Sequence, residues 1–373
     1  MANETNLVID SDAHVIENEH TWDFLEPSEA KYRPRVVNDP DNTGFQYWEV
    51  DGRRGPPALS VEGGDDLDER AQASDRQIGT PREARLLDNV DARLNHMDSL
   101  NIDIQVLHNT LFLYDMTEDP DAEAALTRSW NNWLAETWKK SNGRLPWSCM
   151  APTRLLDEAK IQMRAAKENG AVAVCMRPVE GELLITDPYF YPLMEEAQNL
   201  DLAMAIHIAN GNSASVDLYG SVPGSHPAAG FGIFRAPTVT ACMYLVLSDI
   251  SVMFPKLRWG IIEASAQWIP WIHREATRRS ERDGRELPED LFGSNNIYVT
   301  CQSDEDLPWI LKYAGENCLL IGTDYGHNDT SSDLNAISML RARNDISERS
   351  KERILPHNPM ALYALSRAAL NDQ

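Results

Sequence analysis

Eight short apolar runs rich in β-formers recur along this chain, at 6–12, 102–109, 145–151, 171–177, 202–208, 257–263, 296–302 and 318–324. Longer segments of helical periodicity separate them, near 83–100, 121–142, 154–169, 188–200, 235–254, 267–282 and 304–315. The tail adds helical segments near 332–342, 346–355 and 358–371. Strand–helix alternation with eight strand-like runs predicts a parallel (β/α)8 TIM barrel. An open doubly wound sheet is the alternative. It needs a phosphate-binding glycine turn after the first strand, and Asp10-Ser11-Asp12-Ala13-His14 is no such turn.

Local signals support these boundaries. Thr153 is a candidate cap for the helix carrying Leu155, Leu156 and Ala159. Gly170 follows Asn169 as a helix stop, and Pro188 suits a first helical turn. Two segments break the repeat. Residues 31–82 are rich in Pro, Gly, Arg and Asp and predict a small hairpin plus a long excursion after strand 1. Residues 209–234 form a glycine-rich loop after strand 5. In a barrel both lie on the C-terminal face, where active sites sit. With 373 residues, 42% of them hydrophobic, the chain 1–373 has enough apolar surface for one large domain.

A formal charge of −24 argues against a nucleic-acid or anionic-membrane partner. An anionic substrate would need local arginines, and Arg53, Arg54 and Arg177 are candidates. None of the five cysteines forms a CxxC pair, so free thiols in a reducing cytoplasm are expected. The N-terminus has neither a basic region nor a long apolar stretch, so no signal peptide is expected. No apolar run approaches the ~20 residues that span a bilayer.

Metal-competent residues stand at the strand ends. Asp12, His14 and Glu17 follow Leu7-Val8-Ile9, and His207 follows Leu202–Ile206. Glu263 follows Trp259-Gly260-Ile261-Ile262, and Asp324 follows Leu319-Leu320-Ile321-Gly322. Burying that many carboxylates is costly without a neutralising partner. Two divalent ions would balance four carboxylates, and two histidines with four carboxylates are the inventory of di-iron and di-manganese sites. Residues two apart on a strand share a face, so Asp12 and His14 are expected to point together. Each residue also has a bland reading: Asp12 orienting a structural His14, His207 satisfied in the core, Glu263 paired with Arg177. Asp324 could also serve as a general base. His327, three residues beyond it, is a candidate for handling a proton or a plain loop histidine. His108, at the end of strand 2, could line the pocket; Trp268, Tyr325 and Phe231 could wall it or simply pack. There is no P-loop and no nucleophile elbow.

Six stretches carry a resemblance: Ile9–His14, Asp187–Pro192, Ala205–Ile208, Phe254–Leu257 with Trp268–Pro270, Gly322–His327 and Asn358–Tyr363. In their order and spacing the chain resembles the amidohydrolase-related, metal-dependent barrels that include aminocarboxymuconate-semialdehyde and resorcylate-type decarboxylases. The resemblance implies a barrel with metal at its C-terminal face, often in a homodimer. The relatives usually carry His-x-His or Glu-x-His on strand 1 and a histidine after strand 6, where this chain has Asp12, His14 and Glu263. Hard oxygen donors favour iron or manganese over zinc. The exchange resembles the branch of non-haem di-iron monooxygenases in platensimycin and platencin biosynthesis. That branch implies two iron ions (or Mn or Zn) held by Asp12, His14, Glu17, His207, Glu263 and Asp324. It also implies O2, a separate reductase as external electron donor, and hydroxylation of an acyl-CoA-linked small molecule in antibiotic biosynthesis. The alternative is a metal-dependent hydrolase or non-oxidative decarboxylase with Asp324 as base.

Overall fold

The computed structural model describes residues 7–38, 46–58, 79–221 and 228–365. Eight strands form one parallel sheet in sequential order: β1 (Ile9–His14), β2 (Ile104–His108), β3 (Trp147–Met150), β4 (Ala171–Met176), β5 (Ala203–His207), β6 (Trp259–Ile262), β7 (Ile297–Cys301) and β8 (Leu319–Ile321). The sheet closes just past β8. Ala13 bridges Tyr325 in parallel, Asp324 N–H donates to Asp12 O at 2.9 Å, and His14 N–H to Tyr325 O at 2.8 Å. This is the predicted TIM barrel. Helices α1 (Val90–Ser99), α2 (Pro120–Lys140), α3 (Leu156–Glu168), α4 (Tyr191–Asn199), α5 (Ala236–Leu247), α6 (Ile269–Arg282) and α7 (Leu307–Ala314) follow the first seven strands in turn, and α8 (Ala336–Ala342) follows the last.

The strands are buried on both faces, as parallel sheets between helices must be. Ile9, Ile104, Val106, Ala205, Ile262 and Leu320 form one apolar cluster with Leu362 and Tyr363 of the helix Asn358–Tyr363. Strand β1 carries a register shift between Asp10 and Ala13. The shift breaks strict alternation. Asp12 and His14 converge on the cluster of donors below, while Asp10 turns to Gln105 Nε2 (2.9 Å) and to Thr323 N–H (2.9 Å) and Oγ1 (2.5 Å). Gln105 in turn accepts from Arg93 Nε at 2.7 Å. This buried chain of hydrogen bonds ties α1, β2 and the barrel seam together. The seam also needs Gly322: a Cβ there would stand 2.2 Å from Asp12 Cβ.

Several local expectations change. β1 runs on through His14, because the seam's hydrogen bonds extend it. The helix expected at 83–100 is broken: Arg82–Arg85 and α1 are separated by a turn in which Leu87 has φ 57°. The one expected at 235–254 divides into α5 and Ile250–Met253. Thr153 does not cap α3; Leu155 holds that position, and Thr153 Oγ1 donates to Glu123 Oε1 at 3.0 Å. Gly170 does follow α3, at φ 92°. The 31–82 excursion contains a three-stranded antiparallel sheet, Arg35–Asn38, Gln46–Val50 and Arg53–Pro57. Its remainder at 59–78 lies outside the described residues, as do 222–227 and the tail beyond 365. The 209–234 loop carries a helix, Ser213–Gly220, and a π turn, Phe231–Arg235. Among the described residues no helix is long and apolar enough to cross a membrane.

Candidate metal centre

Strand β1 delivers Asp12 and His14, β5 delivers His207, and the first residues past β6 and β8 deliver Glu263 and near-seam Asp324. Glu263 and Asp324 both adopt left-handed backbone, at φ 64° and 51°. Non-glycine residues enter that region at a cost that the surroundings must offset. Here Glu263 N–H is held by Thr300 Oγ1 of β7 at 2.6 Å and Asp324 N–H by Asp12 O.

The side chains converge. His14 Nε2 lies 3.5 Å from Asp12 Oδ1, 3.6 Å from Glu263 Oε2 and 3.5 Å from Asp324 Oδ1. His207 Nε2 lies 3.4 Å from both Asp12 Oδ1 and Glu263 Oε2. All five residues are buried; Asp12 Oδ1, His14 Nε2, His207 Nε2 and Glu263 Oε2 make no hydrogen bond, while Asp324 Oδ1 pairs with His327. Atoms sharing one ion at about 2.1 Å stand roughly 3.0–3.6 Å apart over angles of about 90–120°. These five separations have that spacing. Its remaining polar atoms are committed elsewhere. His14 Nδ1 donates to Asn109 O at 2.7 Å and His207 Nδ1 to Ile208 O at 3.1 Å, which leaves each Nε2 with its lone pair inward. Ser331 Oγ donates to Glu263 Oε1 at 2.9 Å, and Ser332 Oγ to Asp324 Oδ2 at 2.5 Å.

Electrostatics show the same need for a cation. Burial pushes Glu263 well above the usual carboxylate range, with Asp324, Asp329 and Asp12 adding to it. Burial likewise raises Asp324 to about 6, with the neighbouring His327 opposing. Burial and the nearby His327 and His207 hold His14 well below its ordinary value. Burial would raise Asp12 too, but contacts with His14 and His207 outweigh it and keep its carboxyl far below the usual range. Burial disfavours the His327 imidazolium, yet Asp324, Asp329 and Asp12 prevail and raise it to about 9. His327 stacks on His14 at 3.8 Å, with Nδ1 2.8 Å from Asp324 Oδ1 and Nε2 2.9 Å from Thr110 Oγ1. Thr110 gives its own proton to Val15 O, so Nε2–H donates to Thr110.

The structure thus brings five of the six expected ligands together. Glu17 stays apart: Oε1 accepts from Thr110 N–H (3.0 Å) and Trp130 Nε1 (2.9 Å), and Oε2 from Leu111 N–H (3.1 Å). It anchors the loop that carries Asn109 O and Thr110 rather than facing the donors. Both ring nitrogens of His108 are engaged. Its Nε2 meets Ser11 O at 3.3 Å and its Nδ1 Ser148 Oγ at 2.9 Å. Arg177 pairs with Glu180, not Glu263, and donates to Tyr114 O at 2.7 Å and Phe112 O at 3.3 Å. Tyr325 is fully buried under the Arg93 guanidinium, its hydroxyl 2.7 Å from His96 Nδ1. Phe231 is 62% exposed on the π turn, and Trp268 donates to Ala264 O at the start of α6. Arg53 is exposed and pairs with Glu118, and Arg54 lies over the Tyr47 ring at 4.8 Å. The sequence reading missed Asp329, Ser331 and Ser332. Their only signal is the polar run Asp329–Asp333 after the last strand.

Fold and donor set together define a metal-binding TIM-barrel enzyme. The chain belongs to the amidohydrolase family, whose model, described as Amidohydrolase, matches residues 9–365. No curated protein matches it significantly. Three solved structures are similar in fold. An amidohydrolase from Mycobacterium avium subsp. paratuberculosis is 19% identical with a TM-score of 0.75, covering 96% of this chain and 99% of its own. The 5-carboxyvanillate decarboxylase from Novosphingobium aromaticivorans, complexed with manganese and 4-hydroxy-3-methoxy-5-nitrobenzoic acid, is 16% identical with a TM-score of 0.67, covering 98% of each chain. The 4-oxalomesaconate hydratase from Rhodopseudomonas palustris is 16% identical with a TM-score of 0.63, also covering 98% of each.

Proposed function

We propose that the protein is a metal-dependent hydrolase or non-oxidative decarboxylase in which Asp12, His14, His207, Glu263 and Asp324 hold one divalent ion. The observation that carries this reading is the set of four buried donor atoms, on Asp12, His14, His207 and Glu263, that face one another without hydrogen-bond partners, with Asp324 Oδ1, paired to His327, 3.5 Å from His14 Nε2 beside them. Two overlapping ligand groups can be drawn, but both need His14 and Glu263. One imidazole nitrogen serves one ion, and Glu17 is committed to three N–H donors. Three carboxylates with two imidazoles suit manganese or iron better than a thiolate-loving metal. Manganese in the structurally similar decarboxylase supports the same class.

A bound ion supplies a Lewis acid that polarises a carbonyl or carboxylate oxygen of the substrate. The chain supplies the rest. The carbonyls of Asn109 and Ile208 hold the Nδ1 protons of His14 and His207, so that Nε2 of each ring is the nitrogen turned to the ion. His327 holds a proton at Nδ1 against Asp324 Oδ1, and Thr110 fixes the ring that carries it. This pair can take a proton from a nucleophile or return one to a carbon or nitrogen leaving group. Burial of the whole set excludes water from the charges. A small-molecule substrate, a homodimeric assembly and a cytoplasmic location complete the reading; five free, buried thiols suit such a compartment.

Turnover of carboxylated aromatic acids and of amides, assayed with oxygen rigorously removed, tests the proposal. Undiminished anaerobic turnover is expected. Oxygen uptake on adding a reductant, with a hydroxylated product, would support the two-iron monooxygenase reading in its place.

A further inference from the structure

We propose that Ser331 and Ser332 set the binding mode of the metal ligands, holding Glu263 and Asp324 to one oxygen each and so keeping a coordination position open for substrate. The inference rests on the metal-centre reading above. Each carboxylate is split in the same way. The inner oxygens are Glu263 Oε2, buried without a hydrogen bond, and Asp324 Oδ1, which faces His14 Nε2 and pairs with His327, while the outer ones, Glu263 Oε1 and Asp324 Oδ2, accept from Ser331 and Ser332. A carboxylate whose outer oxygen is held in this way cannot swing both oxygens onto one cation.

The donor direction at Ser331 follows from its neighbours. Arg235 Nη2 donates to Ser331 Oγ at 2.7 Å, which uses an acceptor lone pair and leaves the single hydroxyl proton to be placed. Two carboxylate oxygens lie in reach, Glu263 Oε1 at 2.9 Å and Asp329 Oδ1 at 2.7 Å. Asp329 Oδ1 also accepts the Ser331 backbone N–H at 2.6 Å, and the single hydroxyl proton of Ser331 is shared between Asp329 and Glu263. Ser332 has the simpler task, one proton to Asp324 Oδ2. The loop is fixed beneath both serines. Asp333 N–H donates to Thr323 O at 3.0 Å, and Asp333 Oδ2 accepts from Ser303 Oγ at 2.7 Å. Removing a hydroxyl leaves a buried carboxylate oxygen without its donor, and the nearest remedy is to turn that oxygen onto the cation.

Calcium takes six to eight oxygens, often with bidentate carboxylates, whereas manganese suits six-coordinate sites. The test therefore compares Ca(II) and Mn(II) affinities of the full-length wild type, Ser332→Ala, the Ser331→Ala/Ser332→Ala pair and Ser332→Thr. X-ray absorption then counts the atoms bound to manganese in the Mn-loaded proteins. The alanine variants are expected to shift the affinity ratio at least tenfold toward calcium and to add one metal-bound oxygen. Threonine, which keeps the hydroxyl, should restore the wild-type ratio. An unchanged ratio and an unchanged count of bound atoms in the alanine variants would overturn the proposal. A bidentate carboxylate in the Mn-loaded wild type would overturn it without any variant. A wild type that binds neither ion would instead overturn the metal centre itself.

Discussion

A glutamate on left-handed backbone, buried and facing two imidazoles, is strained unless it holds something. For Glu263 that cost is about 1–3 kcal/mol in backbone alone. Glu263→Ala is accordingly expected to lose metal at least a hundredfold while the barrel stays folded, read by metal content and far-ultraviolet circular dichroism. His207→Ala should behave alike; normal occupancy in either variant would remove that residue from the ligand set. Glu17 predicts the opposite pattern. Glu17→Gln should keep its metal, because the carboxylate serves Thr110, Leu111 and Trp130. Burial raises Glu17 from 4.5 to about 7, against those three N–H donors. Between these values the unfolded chain has released a proton that the folded chain keeps. Folding then takes up a proton, so wild-type stability falls as pH rises through that window, by up to about 1.4 kcal/mol per pH unit. Asp10 and Asp324, both raised to about 6, add slopes of the same sign, so Glu17→Gln should show a shallower slope than the wild type in denaturant titrations from pH 4.5 to 7, and an unchanged slope would contradict it. A residue's type and its place near a strand end were readable from the chain; its rotamer was not. Glu17 looked like a ligand because nothing local shows that Trp130, far along the sequence, would claim it.

At the scale of elements, the barrel seam matters most. Gly322→Ala puts a Cβ into Asp12, in a contact neither backbone can easily relieve. It should destabilise the fold by about 3 kcal/mol or more and weaken metal binding with it, since Asp12 is displaced. Wild-type stability in a thermal melt would show that the seam yields. All eight strands were legible as apolar runs bounded by polar turns, because strands buried on both faces carry a strong hydropathy signal. The shift in β1 was not. Strict alternation puts Asp10, Asp12 and His14 on one face, whereas one extra residue sends Asp10 outward to Gln105 and Thr323. Such a shift is decided by pairing with β2 and β8, which no local pattern records. The same holds for Ser331 and Ser332, loop residues without periodicity whose role comes from reaching Glu263 and Asp324 past the ends of β6 and β8.

Across the whole molecule, the metal should report on the fold as well as the chemistry. The five proposed ligands, from four strands, span positions 12 to 324, so an ion that binds only the assembled barrel stabilises it by linkage, about 4 kcal/mol at a thousandfold excess over Kd. Chelation should lower the melting temperature, and re-adding manganese should restore it; a melt indifferent to chelator would mean that the donors hold no ion. Burying three carboxylates from distant strands together with no cation would otherwise leave charge repulsion uncompensated at the barrel's centre. The most direct test is to count bound metal per chain by mass spectrometry, on protein purified without oxygen or added chelator. One divalent ion per chain is the expected result, and two per chain, or none, would contradict it.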